Sequence, residues 1–513
     1  MTGFITLLAL LLAAVILAAL ARRIGAPYPA FLAIGGALLA FAPGEPALTI
    51  EPHLALALFV APVLLDAAFD SSPRDMKANW VPLVNLVVLG VAVTTVAVAV
   101  VMRILVPTIP WSLAIVLGAI VAPPDATAAT TVLRHVKPPH RILTILEGES
   151  LLNDASALMI YRLALGAFAA STFSIRSVAP TFLLAVLGSI VAGRVLAWLV
   201  MRLTKDIRDV PTSIVLQFIN TFGVWILAEE IGLSGVLTMV CFAVSVARPA
   251  AEVIPARMRI PSFAVWETAV FVLNVLAFVF IGLQIRPILI DLDPVVRHRY
   301  FWVAGAVLAT VIGVRIGWVT IYYAGLRWWS RYVGRGRSLP SFRGVLIVGW
   351  SGMRGIVTLA AALALPIQIN GTPFPFRDVI VFTAFAVVLG TLVIQGLTLG
   401  PLLRTFALRD DRPVEREVAA ARDRALQAAL ATVDGLDSEV AWLIRQEFAS
   451  HLRAGRDDDR DKQIDHERLH RSGLDAARRT ILDMRDKGEI GDDAFHRLER
   501  EFDWLEMAND PEE

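Results

Sequence analysis

Thirteen apolar runs, each long enough to cross a bilayer or nearly so, follow one another through the first four-fifths of this chain. They fall near residues 4–21, 26–43, 53–70, 80–102, 111–131, 141–168, 178–201, 211–228, 233–247, 262–285, 300–326, 343–365 and 378–403. A ~30 Å hydrocarbon core needs about 20 apolar residues of helix, and lipid offers no partner to an unpaired N–H or C=O. The pattern therefore predicts an all-α polytopic membrane protein of about 13 transmembrane helices. Composition agrees: 56% hydrophobic and 18% charged residues, with a mean hydropathy of +0.65, do not fit a soluble globular chain. Cys241 is the only cysteine, so the fold cannot depend on an intramolecular disulfide. The run at 4–21 lacks a basic start and is followed by Arg22 and Arg23, which marks a first spanning helix rather than a signal peptide.

The charges are segregated. From Arg404 onward there are 19 basic and 28 acidic residues, a net of −9, against 28 and 18, a net of +10, upstream. This divides the chain into a transmembrane domain, 1–403, and an acidic helical tail, 404–513. The tail reads as amphipathic helices near 413–432, 437–454 and 461–505, with a loop at 456–461. A regulatory or assembly role is expected of it, and nothing suggests nucleic-acid binding. Lys and Arg crowd the odd-numbered connections, including Arg74, Lys77, Lys137, Arg141, Lys205, Arg257, Arg335 and Arg337. Only the even connection at 286–299, with Arg286, Arg297 and Arg299, resists this rule. The bias places the N-terminus outside and the C-terminus in the cytoplasm.

One run is unlike the others. Residues 142–161, ILTILEGESLLNDASALMIY, carry Glu147, Glu149, Ser150, Asn153 and Asp154 within an apolar helix. A charge at bilayer depth costs at least ~2.5–3.5 kcal/mol, so such residues face protein or water and tend to be functional. Asp154 lies about 13 residues, or roughly 20 Å, from the start of its helix. Two other spans are interrupted. Pro123-Pro124 breaks the fifth beside Asp125, and Gly349, Ser351, Gly352 and Gly355 loosen the twelfth around Arg354. Paired broken helices of opposite direction point to inverted repeats, spans 1–6 repeated as 8–13.

Asp125, Glu149, Asp154 and Arg354 are expected at comparable depth. Glu149 is the expected counter-ion of Arg354, a structural pair, which leaves Asp154 and Asp125 to attract a small monovalent cation. Carboxylates, the Ser150 hydroxyl and carbonyls freed at the breaks supply its oxygen ligands. A cation and a proton competing for Asp154 would give exchange. Glu147 admits two readings, a cation attractor in the cytoplasmic vestibule or a partner of Arg141. Asp66 either joins the Arg354 network or snorkels, Arg315 needs a partner that the sequence does not identify, and Glu267 reads as interfacial.

GESLLNDAS at 148–156, the Asp-containing break of the fifth span and GMRGIVTLAAALALP at 352–366 together resemble the sodium/proton exchangers, monovalent cation/H+ antiporters of the first cation:proton antiporter family. The likeness covers about residues 1–403. It implies a homodimer in the plasma membrane serving pH homeostasis, with crossed broken helices moving like an elevator against a dimerising scaffold. It also implies that Asp154 carries the exchanged Na+ (or Li+ or K+) or proton, with Ser150 and Asp125 nearby, and that Asn153 marks the electroneutral branch. The family's Glu–Arg pair falls on Glu149 and Arg354. The exchangers usually have Thr-Asp-Pro where this chain has Pro124-Asp125-Ala126, so the missing hydroxyl must come from backbone, water or Thr127. No cofactor is implied; the ions are substrates. A cation channel or a carboxylate-dependent intramembrane enzyme are the rivals, but no HExxH motif falls within an apolar run (HERLH at 466–470 belongs to the tail) and no His lies in the interior of a span.

Overall fold

The computed structural model describes residues 2–23, 27–41, 51–136, 138–169, 175–290, 294–333, 341–369, 372–406, 408, 413–436, 438–454, 460–487, 489 and 492–509. Lys137, Arg335, Arg337 and most of the loop expected at 456–461 lie outside these residues. The chain divides into two compact units, Met1–Asp411 and Arg412–Glu513.

The first unit is almost wholly helical. It opens with α1 (Thr2–Arg23), α2 (Tyr28–Leu39), α3 (Pro52–Ala55) and α4 (Ala61–Asp70), a π-helical turn at Leu56–Val60 joining the last two. Then come α5 (Pro73–Ala78), α6 (Trp80–Val84), a second π turn at Asn85–Gly90, and α7 (Val91–Leu105). The next helices are α8 (Trp111–Val121), α9 (Ala126–Val136), α10 (His140–Ala169), α11 (Ile175–Thr204), α12 (Val210–Glu230) and α13 (Gly235–Val253). The unit closes with α14 (Ala256–Leu283), α15 (Ile285–Ile290), α16 (Pro294–Val333), α17 (Phe342–Trp350), α18 (Ile356–Leu363) and α19 (Arg377–Phe406). Between the last two, β1 (Gln368–Ile369) and β2 (Thr372–Pro373) pair antiparallel. The second unit holds α20 (Pro413–Val433), α21 (Glu439–Ala454), α22 (Arg460–Asp486) and α23 (Asp492–Asn509). Within it α20 packs on α21 and α22 on α23, where Arg478 bonds Asp503 at 2.5 Å.

Seven stretches among the described residues are long and apolar enough to cross a membrane: Trp80–Leu105, Trp111–Leu133, Leu183–Thr204, Val210–Glu230, Ala256–Ile290, Arg297–Ser330 and Arg377–Phe406. Four shorter apolar helices accompany them. Among the described residues each apolar run falls on helix, the fifth and twelfth on two helices with a break between them, and α10 falls outside the seven because its middle is charged.

Helix ends follow local chemistry. Ser72, Asp209 and Ser341 each accept a backbone N–H three residues on, capping α5, α12 and α17. The hydroxyl and N–H of Thr212 hold the Asp209 carboxyl below its ordinary value. At the other end of α18, the Arg377 guanidinium donates to the carbonyls of Leu363 and Leu365, both at 3.2 Å.

Enclosure is uneven. The stretch Trp111–Leu133 and helix α19 are mostly buried, whereas α11, α12 and α16 turn broad apolar faces outward. The bundle draws tightest where α2 crosses α14. Added at Gly282, a Cβ would stand 2.5 Å from Ala37 N and 2.7 Å from Gly36 C, so only glycine admits this approach. Gly282→Val is expected to cost at least the ~1–3 kcal/mol of overpacking. Thermal unfolding of the purified variant in detergent measures it, and an unchanged midpoint would mean that the two helices are free to separate.

Candidate functional site

Both interruptions are present, and they meet. α8 stops at Val121 and α9 begins at Ala126; α17 stops at Trp350 and α18 begins at Ile356. Proline accounts for the first gap, since neither Pro123 nor Pro124 has an N–H to continue the ladder. Asp125 then donates its backbone N–H to Met353 O of the other break at 2.7 Å. Its carboxylate accepts the Thr127 N–H at 2.8 Å, which caps α9.

The charged helix α10 holds this irregular backbone from a third side. Asn153, fully buried, donates its amide to Pro124 O at 2.7 Å, and Ser150 Oγ accepts the Ala126 N–H at 3.0 Å. Two residues expected as ion ligands are thus already engaged with the broken backbone. Thr127 belongs to the same turn, and its carbonyl accepts from the Thr131 hydroxyl at 2.8 Å.

The expected Glu149–Arg354 pair is replaced by another. Glu149, 2% exposed, is gripped by Arg315 of α16 through two bonds, Nη1–Oε1 at 2.6 Å and Nη2–Oε2 at 2.9 Å. Such fork-to-fork geometry is the strong form of the guanidinium–carboxylate bond. Arg354, 1% exposed, spends its donors on backbone: Val121 O at 2.9 Å, Ala122 O at 3.1 Å and Gly352 O. Its own N–H donates to Thr391 Oγ1 at 3.0 Å. The reason lies in the break itself. Stopping α8 at Val121 strands carbonyls that a cation at a helix C-terminus satisfies best. Glu149 and both arginines still line one small internal cavity. Sequence reasoning left Arg315 without a partner; the signal was two mid-span guanidiniums for one unassigned glutamate.

Gly352 and Gly355 serve packing more than flexibility. A Cβ on Gly352 would overlap the Arg315 side chain, and one on Gly355 would overlap the Asp125 carboxylate.

Asp154 is different from its neighbours. It is 8% exposed, and no protein hydrogen bond or ion pair engages its carboxylate among the described residues. It lines a cavity of about 350 Å³ together with Asp125, Thr127 and Ser150. Asp66 and Glu147 line the same cavity. Glu147 and Glu267 are exposed and form an acidic rim, Glu267 being a residue that sequence reading placed merely at an interface. Arg141 instead donates to Asn79 Oδ1 at 3.0 Å. No cluster of three or more His, Cys, Asp or Glu side chains suited to a metal ion occurs among the described residues. Carboxylates and hydroxyls gathered around one cavity are hard oxygen donors of the kind that a small monovalent cation takes.

Comparison with known proteins agrees with this geometry. The sequence model of a family described as "Sodium/hydrogen exchanger, transmembrane" matches residues 8–405. A sodium, potassium, lithium and rubidium/H+ antiporter of Bacillus pumilus is 30% identical, over 92% of this chain and 73% of its own. Its namesake in Bacillus subtilis is 29% identical, over 94% and 74%. Among solved structures, the sodium proton antiporter MjNhaP1 from Methanocaldococcus jannaschii superposes with a TM-score of 0.61, covering 79% of this chain and 99% of that one. At 18% identity, that likeness speaks for the fold.

Glu149→Gln and Arg315→Met are each expected to destabilise the protein, since breaking a buried pair typically costs ~3–5 kcal/mol. The glutamate change should cost more, because it leaves two guanidiniums uncompensated, whereas Glu149 without Arg315 still has Arg354 beside it. The double variant should recover part of the loss. Thermal unfolding of the four proteins in detergent gives the coupling, and strictly additive shifts would mean that the two side chains do not act as a pair.

Proposed function

We propose that this chain, which belongs to the sodium/hydrogen exchanger family and is a transporter rather than an enzyme, exchanges one monovalent cation for one proton at Asp154. The observation that carries the reading is a buried carboxylate left without a protein partner at the base of a cavity, while every other buried charge around it is engaged. Na+ is the expected cargo, with Li+ and K+ as further candidates. Asp125, Ser150 and Thr127 supply neighbouring oxygens, and Asn153 holds the Pro124 carbonyl in place.

Charge balance argues for electroneutral exchange. Asp125, Glu149 and Asp154 carry three negative charges, and Arg315 and Arg354 two positive ones. The cluster therefore stands at −1 when empty and is neutralised by either one cation or one proton. Reorientation through a low-dielectric barrier favours the neutral form, so the loaded carrier turns over and the empty one stays. Thirteen crossings, inverted repeats with crossed broken helices, and an elevator movement complete the proposal. The outward apolar faces of α11 and α12 suit lipid or a second protomer of a homodimer. With the N-terminus outside, the tail is cytoplasmic, where a plasma-membrane exchanger would serve pH homeostasis.

In proteoliposomes, a cation gradient should drive a pH change that is insensitive to membrane potential; conductive flux would instead indicate a channel. Asp154→Asn should abolish exchange while leaving the fold intact, and near-normal flux in that variant would sink the assignment. Asp125→Asn should mainly raise the half-saturating cation concentration. Because protons and cations compete, raising the pH frees the site, so half-saturation should fall as pH rises. A pH-independent value would contradict competition. Truncation after Asp411 should leave exchange in place, since all the charges of the cluster lie upstream. Loss of transport at every pH by a folded, truncated protein would make the tail part of the mechanism.

A further inference from the structure

Opposite Asp154, the cavity is walled by α14. Glu267, Val270, Phe271, Asn274, Ala277 and Phe278 all line it, and their spacing of three, four and seven puts them on one face of the helix. Four of the six are apolar. Glu267 stands exposed at the rim, and Asn274, two turns further along the helix, is partly buried. The α10 wall repeats this arrangement, with Glu147 exposed at the rim and Asp154 buried seven residues on. Each wall thus carries a carboxylate outside and a polar group within.

Asn274 lies 12 residues into the run 262–285, roughly 18 Å along the axis. Its amide offers one acceptor oxygen and two N–H donors. No protein group hydrogen-bonds to it among the described residues. An amide at bilayer depth without compensation is costly, and packing gives no reason for one where a leucine would fill the same face. What satisfies it must be what the cavity admits, water and the transported ion. A carbonyl oxygen is a hard, neutral ligand of the kind that alkali cations take in exchange for hydration water.

We propose that Asn274 is a cation ligand on the wall facing Asp154, its carbonyl oxygen taking one coordination position of the ion as it moves between Asp154 and the cavity mouth. The inference rests on cation/proton exchange at Asp154. Because the amide is neutral and does not titrate, it acts on the cation and leaves the competing proton untouched. It also stands on a different helix from the carboxylates: α14 packs chiefly on α2, whereas α10 packs chiefly on α8. Asn274 therefore ligates the ion only while the two helices hold the arrangement seen here.

The test uses the full-length protein in proteoliposomes, with Na+, Li+ and K+ gradients driving proton movement. Asn274→Leu keeps the size and removes the oxygen. It is expected to raise the half-saturating concentration by about three- to tenfold, the worth of one neutral contact, by unequal factors for the three ions and with a smaller change in maximal rate. Asn274→Ser, which keeps an oxygen, should recover part of the shift. Asn274→Asp should lower half-saturation at high pH and steepen its pH dependence. Unchanged half-saturation for all three ions in Asn274→Leu overturns the proposal, as does a fall in maximal rate and melting temperature with half-saturation unmoved. If the leucine variant does not fold, wild-type half-saturation in both the serine and aspartate variants overturns it. A wild-type protein that exchanges no cation removes the reading of Asp154, whereas normal wild-type exchange with an unaffected Asn274→Leu removes only Asn274.

Discussion

The structure turns on how two interrupted helices satisfy their backbone in a setting that offers little water. Ending α8 at Val121 and α17 at Trp350 frees carbonyls and N–H groups that lipid cannot serve. Three polar side chains answer most of that demand. Arg354 binds the carbonyls of Val121 and Ala122, Asn153 binds that of Pro124, and Ser150 accepts from Ala126. Direct pairing of the breaks, Asp125 N–H to Met353 O, supplies the rest of the link. Remove any of these and a polar backbone group is left stranded.

That demand also fixes the electrostatics. A guanidinium committed to carbonyls is only partly neutralised, so its charge persists and needs a carboxylate within reach. Glu149 is within reach but is gripped by Arg315, and the pair of arginines leaves an excess of one positive charge in the inner cavity. Asp125 and Asp154 over-compensate it by one. On this count one further positive charge would bring the cluster to neutrality, and under the proposed exchange the same residues would serve the backbone and the ion. The glycines at 352 and 355 belong to this account as well, because any side chain there would displace Arg315 or Asp125.

The cavity in front of Asp154 is asymmetric in chemistry. On the α10 side lie the groups that hold the broken backbone; on the α14 side lies a mostly apolar face carrying one amide and one rim carboxylate. Under the proposed exchange, the ion would sit between a charged wall and a sparsely polar one. The tight glycine crossing of α2 and α14 keeps the second wall in register.

Much of this was determined by the sequence alone. Apolar runs of spanning length leave a chain no alternative to helices, and the abrupt turn to charge after Leu403 marks where they end. Prolines and glycines at 123–124 and 352–355 declare the breaks, because missing donors and missing Cβ atoms act locally. The depth of Asp154 follows from counting residues along one helix. What the sequence could not decide was partnership. Glu149 had two guanidiniums available, and choosing Arg315 over Arg354 depended on which one the stranded carbonyls of α8 would claim. The same holds for Ser150 and Asn153, whose hydrogen bonds go to the broken backbone at Ala126 and Pro124, and for Asp66, Glu267 and Asn274, gathered around one cavity by helices distant in sequence. Local rules fix where a helix stops; only tertiary packing brings a donor from one element to an acceptor on another, and at low dielectric that choice governs which charges remain free to bind an ion.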